Sequence, residues 1–193
     1  MKKALNREIV ELKEFAEALC SRRTIEVFVQ TKVPAKLVNE AIEVAIWAPN
    51  HHVTEPWHFY RIGEETKQRC LDLCSEIVSA KKGKKAADFK CRRWSEKPGW
   101  MVVTCKRSSN EVLQLEDYAA CCIAVHNFIL YLWKAGIGSK WTSGDIIRDP
   151  RFFKIIGINA DEEFVVGLIW YGYPKIMPTQ SRKNREDVST DCP

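Results

Sequence analysis

The sequence predicts an α+β protein, because helical and strand-like segments mix without the regular alternation of parallel α/β folds. Stretches with helical periodicity are separated by short strand candidates at irregular intervals. The turn glycines do not form the G-x-G-x-x-G pattern of dinucleotide-binding α/β domains. A chain of 193 residues without repeats or linkers fits one domain, so we expect a single domain over residues 1–193.

Apolar residues at helical spacing predict two helices in the first quarter of the chain. The first covers residues 7–20, and the second lies within residues 33–49. Pro34 suits the first helical position of the second helix, and Pro49 ends that helix. Residues 57–62 follow as a short strand candidate.

The middle of the chain predicts three further helices around a buried strand. Residues 64–80 place apolar side chains at helical spacing, and a weaker helix covers residues 84–95. The stretch WMVVTCK, residues 100–106, is rich in β-branched residues and predicts a buried strand. Residues 111–134 give the strongest helix pattern, which ends near Gly136.

The segment after this helix predicts a short strand and a short helix. Residues 139–143, SKWTS, are the strand candidate. In DPRFFKIIG, Asp149 is the predicted N-cap, Pro150 is the first helical residue and Gly157 ends the helix.

The C-terminal part predicts one long strand and a tail. EFVVGLIWYGYP, residues 163–174, is apolar throughout, so we expect this strand to be buried on both faces. The residues from about 175 to 193 are polar and predict an extended, irregular tail.

Composition excludes several protein classes. Hydrophobic residues make up 46% of the chain and charged residues 28%, which is typical of soluble globular proteins. No apolar run reaches the ~18 residues that a membrane span needs. The N-terminal MKKALNREIVELKEF lacks the apolar core of a signal peptide. We therefore expect a cytoplasmic protein that does not bind membranes.

The eight cysteines do not have the pattern of a disulfide framework. Cys70 and Cys74 lie four apart in a helical pattern, and Cys121 and Cys122 are adjacent, so we expect reduced thiols. The first pair has the spacing of half a zinc site, but no second pair accompanies it. We predict no bound metal.

The net charge is +5, and much of the positive charge lies in KKGKKAADFKCRR, residues 81–93. A solvated helix pair or a mobile flap explains this basic segment, and an anion or nucleic-acid patch is the alternative. Because no recognition motif accompanies the charge, we predict no nucleic-acid partner.

Three motifs could bind the phosphate or the ring of a flat cofactor. Arg22, Arg23 and Thr24 follow a helix end, and guanidinium groups match the oxygens of a phosphate. The tail adds a second cationic motif, SRK, at residues 181–183. WTSG, residues 141–144, offers backbone N–H groups to the edge of a ring, although a strand end explains it equally well.

Two adjacent histidines, His51 and His52, lie in the loop APNHHVTEPWHFY. No cysteine or carboxylate accompanies them at metal-site spacing, and no serine or cysteine nucleophile motif pairs with them. A locally hydrogen-bonded loop is therefore favoured over a metal site.

In their order and spacing, these segments resemble the nitroreductase family of flavoproteins. The residues that carry the resemblance are SRRTIEVF…VP…AIEVAIWAPNHHVTEPWHFYRI, AACCIAVHNFILYLWKAGIGSKWTSG and VVGLIWYGYPK…SRK. They span about residues 7–185, with residues 64–98 as the weakest part. The chain is most similar to the short, single-domain branch, in which A-P-[DN]-H precedes P-W-x-F and W-x-S-G follows a glycine-rich turn.

The resemblance implies an FMN-dependent enzyme. Family members are intertwined homodimers with a central, mostly antiparallel sheet flanked by helices, and two FMN molecules lie in the interface. NAD(P)H reduces the flavin by hydride transfer, and an electron-poor acceptor such as a nitroaromatic or quinone is then reduced. No side chain needs a covalent or acid–base role, so no catalytic residue is predicted.

The resemblance also implies which residues bind the cofactor. Arg22, Arg23 and Thr24 would hold the FMN phosphate and ribityl chain, and Arg182 would add a phosphate contact. Trp47 and His51 would line the flavin from the other subunit. Trp141, Thr142 and Ser143 would lie along the isoalloxazine edge, where a backbone N–H would meet N5. The stretch from Leu132 to Gly136 matches one associated with the nicotinamide nucleotide.

Four positions depart from the family pattern. Glu26 stands where many members have a cation, and Trp47 stands where the short branch often has arginine. Val53 and Glu55 replace the common asparagine and glutamine before P-W. Since Glu26 and Trp47 reduce the expected positive charge near the flavin, a catalytically impaired, flavin- or nucleotide-binding relative is the alternative function.

Overall fold

The structure is a computed structural model that describes residues 2–192, with side chains described for residues 11–192. The described residues form six α-helices and four β-strands. The helices are α1 (Lys2–Ser21), α2 (Ala35–Ala45), α3 (Glu64–Lys82), α4 (Lys84–Ser95), α5 (Glu111–Lys134) and α6 (Pro150–Ile156). The strands are β1 (Trp57–Arg61), β2 (Gly99–Lys106), β3 (Gly138–Thr142) and β4 (Glu163–Gly172). Three short 3-10 helices cover His51–Val53, Asp145–Arg148 and Arg185–Asp187.

The four strands form one antiparallel sheet in the order β1-β2-β4-β3. Ile169 of β4 pairs with Met101 of β2 on one side and with Trp141 of β3 on the other, so β4 lies between β2 and β3. Thr24 forms a parallel bridge to Ser139 and so extends the sheet beyond β3. The predicted α+β class with a mostly antiparallel sheet is confirmed.

Helices cover both faces of the sheet. Successive β2 residues alternate between two cores, with Trp100 and Val102 on one side and Met101 and Val103 on the other. Residues of α3, α4 and α6 pack in the first core, and residues of α2 and α5 pack in the second. Because both faces are covered, β2 and β4 are buried almost throughout, as predicted for an apolar strand with no solvent face.

Local signals determine several helix ends. The Asn110 side chain accepts hydrogen bonds from the backbone N–H groups of the first turn of α5. The Asp149 side chain accepts one from the Arg151 N–H at 2.9 Å, and Gly157 ends α6 with a φ of 85°. The predicted cap, first residue and terminal glycine of α6 are therefore confirmed.

Other boundaries differ from the prediction. The first helix begins at Lys2 instead of residue 7, and α2 ends at Ala45, before Pro49 is reached. Pro34 occupies the N-cap position of α2, one residue before the predicted place. The 3-10 helix at His51–Val53 was not predicted, since its left-handed backbone lies at residues other than glycine.

The tail first pairs with the segment after α1. The Lys175 N–H donates to the Val27 carbonyl and the Val29 N–H to the Tyr173 carbonyl, both at 2.9 Å. Beyond this pairing, residues 175–192 are exposed. Within residues 2–192, no helix combines the length and apolar character needed to cross a membrane.

Candidate functional site

The arginine-rich turn after α1 lies against the edge of the sheet. The Ile25 N–H donates to the Ser139 carbonyl at 2.9 Å, which fixes this turn alongside β3. The Arg23 guanidinium donates to the Cys20 and Arg22 carbonyls at 2.6 and 2.9 Å. Arg23 thereby satisfies carbonyl groups at the C-terminal end of α1, where a cation also complements the helix dipole.

Three guanidinium groups gather at this turn. Burial lowers the pKa of Arg22, and the positive charges of Arg182 and Arg23 lower it further. The tail residue Arg182 is therefore close enough to Arg22 for their charges to interact. Clustered, partly desolvated guanidiniums repel one another, and an anion with several oxygens, such as a phosphate, relieves that repulsion.

The WTSG segment begins in the edge strand and continues past it. The Trp141 indole N–H donates to the Val166 carbonyl at 3.3 Å. Its ring occupies the space beside Gly167, where an added Cβ would lie 2.1 Å from the indole nitrogen. Thr142 is the last paired residue of β3, and Ser143 and Gly144 beyond it are exposed. The absence of a side chain at Gly167 therefore leaves room for the Trp141 ring beside β4.

A cluster of ion pairs lies beside the same strand. The Glu26 carboxylate forms an ion pair with Lys140 of β3 and, at 3.3 Å, with Arg93 of α4. The Lys97 ammonium donates to the Glu26 carbonyl at 2.6 Å. Two cations thus pair with the Glu26 carboxylate, and a third binds its backbone carbonyl. The reduction of positive charge by Glu26 stays a prediction for the flavin site, and Arg93, Lys97 and Lys140 place three cations around this residue.

These ion pairs border a cavity of about 360 Å³ between α3, α4 and β3, which we call the cationic cavity. Its basic lining residues are Lys82, Lys90, Arg93, Lys97 and Lys140. Thr142 and Gly144 also line it, so the cavity adjoins the WTSG segment. The basic segment of residues 81–93 is a helix pair with a turn at Gly83, and Lys81 forms a 2.8 Å ion pair with Asp145.

Trp47 lies on the opposite side of the sheet, at the end of α2. Its side chain is 84% exposed. With Phe15, Val44 and Leu130 it borders an apolar cavity of about 520 Å³ between α1, α2 and α5. Trp47, Phe15 and Val44 thus leave apolar surface exposed on this face of the chain.

His51 lies in a loop that α5 holds in place. Its Nδ1 is 3.0 Å from the Glu116 carboxylate, and its ring stacks on His52 at 3.9 Å. The buried Asp117, one residue further along α5, accepts a hydrogen bond from the Thr54 hydroxyl. These contacts hold a loop in which His52, Val53 and Glu55 have φ values of 61°, 51° and 45°.

This loop and α5 together contain three possible metal ligands. The ligand atoms of His51, His52 and Glu116 lie within 4.8 Å of one another. The two rings are stacked with an interplanar angle of 23°, so their nitrogen lone pairs do not converge on one point as tetrahedral zinc requires. In α3, burial raises the pKa values of Cys70 and Cys74 to about 12, which opposes the thiolate form that zinc binds.

Residues 19–173 match the Nitroreductase family. The chain belongs to this family. It is 32% identical over 167 residues to YfhC of Bacillus subtilis, a protein provisionally named an NAD(P)H nitroreductase. That match covers 84% of this chain and 86% of the relative.

Solved nitroreductase structures have the same fold. The nitroreductase-like protein of Bacillus cereus is 30% identical, with a TM-score of 0.78, and the match covers 91% of this chain and 95% of that one. The FMN- and NADPH-dependent nitroreductase NfnB of Sphigopyxis sp. strain HMH is 15% identical, with a TM-score of 0.73. That match covers 92% of this chain and 98% of NfnB, and at this identity it shows the fold alone.

In this chain, the predicted flavin-binding residues lie in two groups, on different sides of the sheet. The first group lies along the edge of β3. It consists of the arginine-rich turn (Arg22, Arg23 and Thr24), the WTSG residues (Trp141, Thr142 and Ser143) and Arg182 of the tail, whose charge acts on Arg22. On the α2 and α5 side lie Trp47 and His51. The sequence could not show this division, because it depends on which face of the sheet each helix covers.

The stretch from Leu132 to Gly136 is the end of α5. Leu132 is fully buried in the core between α5 and the sheet, and the Ile137 N–H donates to its carbonyl at 2.8 Å. Gly136 has a φ of 78° and reverses the chain into β3. Packing at the end of α5 explains the presence of both Leu132 and Gly136. Because the Leu132 side chain is buried, it is not available to contact the nicotinamide nucleotide.

Sequence reasoning missed Lys97 and Lys140 as residues of the site. Lys140 lies within the quoted segment SKWTS, but its partner Glu26 is 114 residues away. Lys97 is almost completely buried, with its ammonium 5.6 Å from the centres of the Phe28 and Trp170 rings. A buried lysine has no local sequence signal, because only the folded chain brings its carbonyl and aromatic partners together.

Proposed function

We propose that this chain is an FMN-dependent oxidoreductase that passes a hydride from NAD(P)H through the flavin to an electron-poor acceptor. Nitroaromatic compounds and quinones are the acceptor classes. The observation that carries the proposal is the pairing of the turn that holds Arg22, Arg23 and Thr24 with Ser139 of β3, the strand that continues into the WTSG segment. The charge of Arg182 acts on Arg22 from the tail. Membership of the Nitroreductase family and the names of YfhC and NfnB support the cofactor and the electron donor.

The residues along β3 fit the two ends of FMN. Thr24 of the arginine-rich turn pairs with Ser139, and β3 ends three residues further along, at Thr142 within the WTSG segment. At about 3.4 Å per residue this separation is about 10 Å, a suitable span for an elongated ligand with a phosphate at one end. Arg22, Arg23 and Arg182 would hold the phosphate, and Trp141, Thr142 and Ser143 would lie along the ring.

FMN, when bound, supplies the chemistry of accepting and donating a hydride, and the protein supplies position and charge. Lys140 and Lys97 place positive charge beside the WTSG segment, where it favours an anionic ligand edge. The Trp141 ring packs beside Gly167, which fixes its position next to the proposed ring site. No covalent or acid–base residue is required, and we assign none.

We also propose that the active protein is a homodimer. Trp47 and His51 lie on the face opposite α3 and α4, whereas the cationic residues adjoin β3. Besides Trp47, large apolar side chains are exposed on α1, on α5 and at the C-cap of α2: Leu12, Phe15, Leu19, Leu115, Ile123 and Ile46. A second copy would cover this surface and bring its own Trp47 and His51 to the flavin.

Steady-state kinetics with two substrates test the proposed function. We expect oxidation of NADPH or NADH that requires both FMN and an acceptor such as a nitroaromatic or quinone. Because donor and acceptor would use one pocket in turn, double-reciprocal plots should give parallel lines. Bound FMN without acceptor-dependent turnover would instead support the flavin-binding relative as the function.

A further inference from the structure

The positive charge of this chain is concentrated in the basic segment, residues 81–93. The segment holds seven basic residues and one acidic residue, Asp88, which gives it a net charge of +6. Because the whole chain carries +5, the rest of the chain carries a net charge of −1. One pair of helices therefore accounts for the positive charge of the molecule, and it forms a positive pole that attracts acidic surfaces.

Most of these cations have no carboxylate partner. Lys81 pairs with Asp145 at 2.8 Å, and Arg93 pairs with Glu26 at 3.3 Å. Among the side chains of residues 11–192, the other five basic residues of the segment form no ion pair: Lys82, Lys84, Lys85, Lys90 and Arg92. All of these except Lys90 are exposed. Exposed cations so close in sequence repel one another, and an acidic surface relieves that repulsion.

An exposed aromatic side chain lies among the cations. Phe89 of α4 is 54% exposed, and the guanidinium carbons of Arg92 and Arg93 lie 5.7 and 5.8 Å from its ring centre. Lys85 lies one helical turn before Phe89, on the same face of α4. Aromatic and arginine side chains are the residue types that most often anchor protein–protein interfaces. The segment therefore offers an apolar contact point as well as charge.

The two helices hold this surface in place before any partner binds. The Cys91 thiol of α4 donates to the Leu71 carbonyl of α3 at 3.5 Å. Ala87 is fully buried and Trp94 is almost fully buried in the core on this side of the sheet. A surface that is already ordered loses little conformational entropy when it binds.

We propose that the basic segment binds a partner protein through a surface on which acidic side chains surround an apolar one. The acids would pair with the exposed lysines on either side of Gly83, and the apolar side chain would pack on Phe89. The two arginines beside the Phe89 ring occupy space that a stacking nucleobase would need, which favours a protein over a single-stranded nucleic acid. This binding does not rest on the proposed function.

Fluorescence anisotropy with labelled peptides tests the proposal on the purified protein. The probe is a peptide in which glutamates flank one leucine, and a peptide with lysines in place of the glutamates is the control. At about 0.15 M salt we expect the glutamate peptide to bind at least about tenfold more tightly than the lysine peptide. At about 1 M salt this difference should shrink, because the cations are exposed.

Two matched double variants locate the charge. Lys84→Met with Lys85→Met removes two unpaired cations and keeps their apolar stems, so the affinity for the glutamate peptide should fall at least about threefold. Lys32→Met with Lys36→Met removes two exposed lysines outside the basic segment and should leave this affinity unchanged. Thermal unfolding of both variants checks that the fold is retained.

Phe89→Ala tests the apolar contact. In the parent, the glutamate peptide with leucine should bind at least about threefold more tightly than one with alanine in its place. The Phe89→Ala variant should bind the two peptides equally, because the surface that receives the leucine is gone.

Four results would overturn the proposal. Three of them are equal binding of the glutamate and lysine peptides, equal losses in the two double variants, and a leucine preference that survives in Phe89→Ala. The fourth is tighter binding of oligothymidylate or of phosphatidylserine vesicles at the same salt concentration, since the segment would then serve a nucleic acid or a lipid surface. None of these measurements depends on FMN or turnover, so this proposal and the proposed function can fail independently.

Discussion

The carboxylate of Glu26 shows how strongly single side chains determine the charge of this site. Its partners, Arg93 and Lys140, come from α4 and β3. The pairs are partly exposed, so each contributes little to the free energy of unfolding. Their larger effect is to hold Arg93 and Lys140 beside Glu26, at the cavity that adjoins the WTSG segment.

Replacing Arg22 with alanine should weaken FMN binding at least tenfold, because a charge-assisted phosphate contact is lost. Fluorescence titration of the apoprotein with FMN measures the dissociation constant. Arg69→Ala is the matched control, since Arg69 is an exposed arginine of α3 outside the turn. Unchanged affinity in the Arg22 variant would contradict the phosphate assignment.

Replacing Gly167 with alanine should displace the Trp141 indole, because the new Cβ would lie 2.1 Å from its nitrogen. Overpacking of this kind costs about 1–3 kcal/mol of unfolding free energy. Denaturant unfolding measures the loss, and the smaller ring in a Gly167→Ala, Trp141→Phe double variant should recover part of it. If the Gly167→Ala variant is as stable as the parent, the Trp141 indole can move away from the added methyl group without cost, which would contradict the prediction.

The sequence predicted well those helices whose apolar periodicity or end residues lie within the helix or directly beside it. Residues 111–134 repeat their apolar positions for the whole helix, and Asp149, Pro150 and Gly157 mark the ends of α6 directly. The 3-10 helix at His51–Val53 has no such signal. Its left-handed backbone depends on Glu116 and Asp117, which the chain reaches more than 60 residues later.

The cap of α6 gives a pH-dependent prediction. Hydrogen bonds from the Arg151 side chain and backbone lower the pKa of Asp149 to about 2, below its unfolded value of about 3.9. The charged cap therefore stabilises the fold above about pH 4, and this contribution is lost as the pH falls toward 2. Asp149→Ala should cost about 0.5–2 kcal/mol at pH 7 and progressively less toward pH 2.

Denaturant unfolding at several pH values measures this cost. Asp149→Asn is the control, because asparagine also caps helices but cannot form the ion pair with Arg151. Its unfolding free energy should stay closer to that of the parent. A cost of Asp149→Ala that is constant from pH 7 to pH 2 would show that the charge does not contribute.

At the scale of the whole molecule, the candidate site has its parts on two faces of one sheet. The cationic residues adjoin β3, α3 and α4, whereas Trp47 and His51 lie with α2 and α5. The sequence predicted most of these residues through the family resemblance. It could not predict their separation, or the partners of Glu26, because both follow from long-range packing.

A homodimer should appear as a molecular mass near twice that of the 22.3 kDa chain in light scattering after size exclusion. Leu12→Lys with Phe15→Lys places charge on the exposed apolar face of α1 and should yield monomers that bind FMN poorly. Phe89→Lys, on the opposite layer, should leave the dimer intact as the control. A monomeric parent that retains FMN would contradict the shared site.

The most direct test of the proposed oxidoreductase is an absorbance spectrum from 300 to 550 nm, recorded anaerobically before and after adding NADPH or NADH. We predict a flavin spectrum that bleaches with at least one of the two nucleotides and returns when an acceptor is added. A protein that shows no flavin spectrum after incubation with FMN would contradict the cofactor assignment. A bound flavin that neither nucleotide bleaches would contradict the hydride transfer.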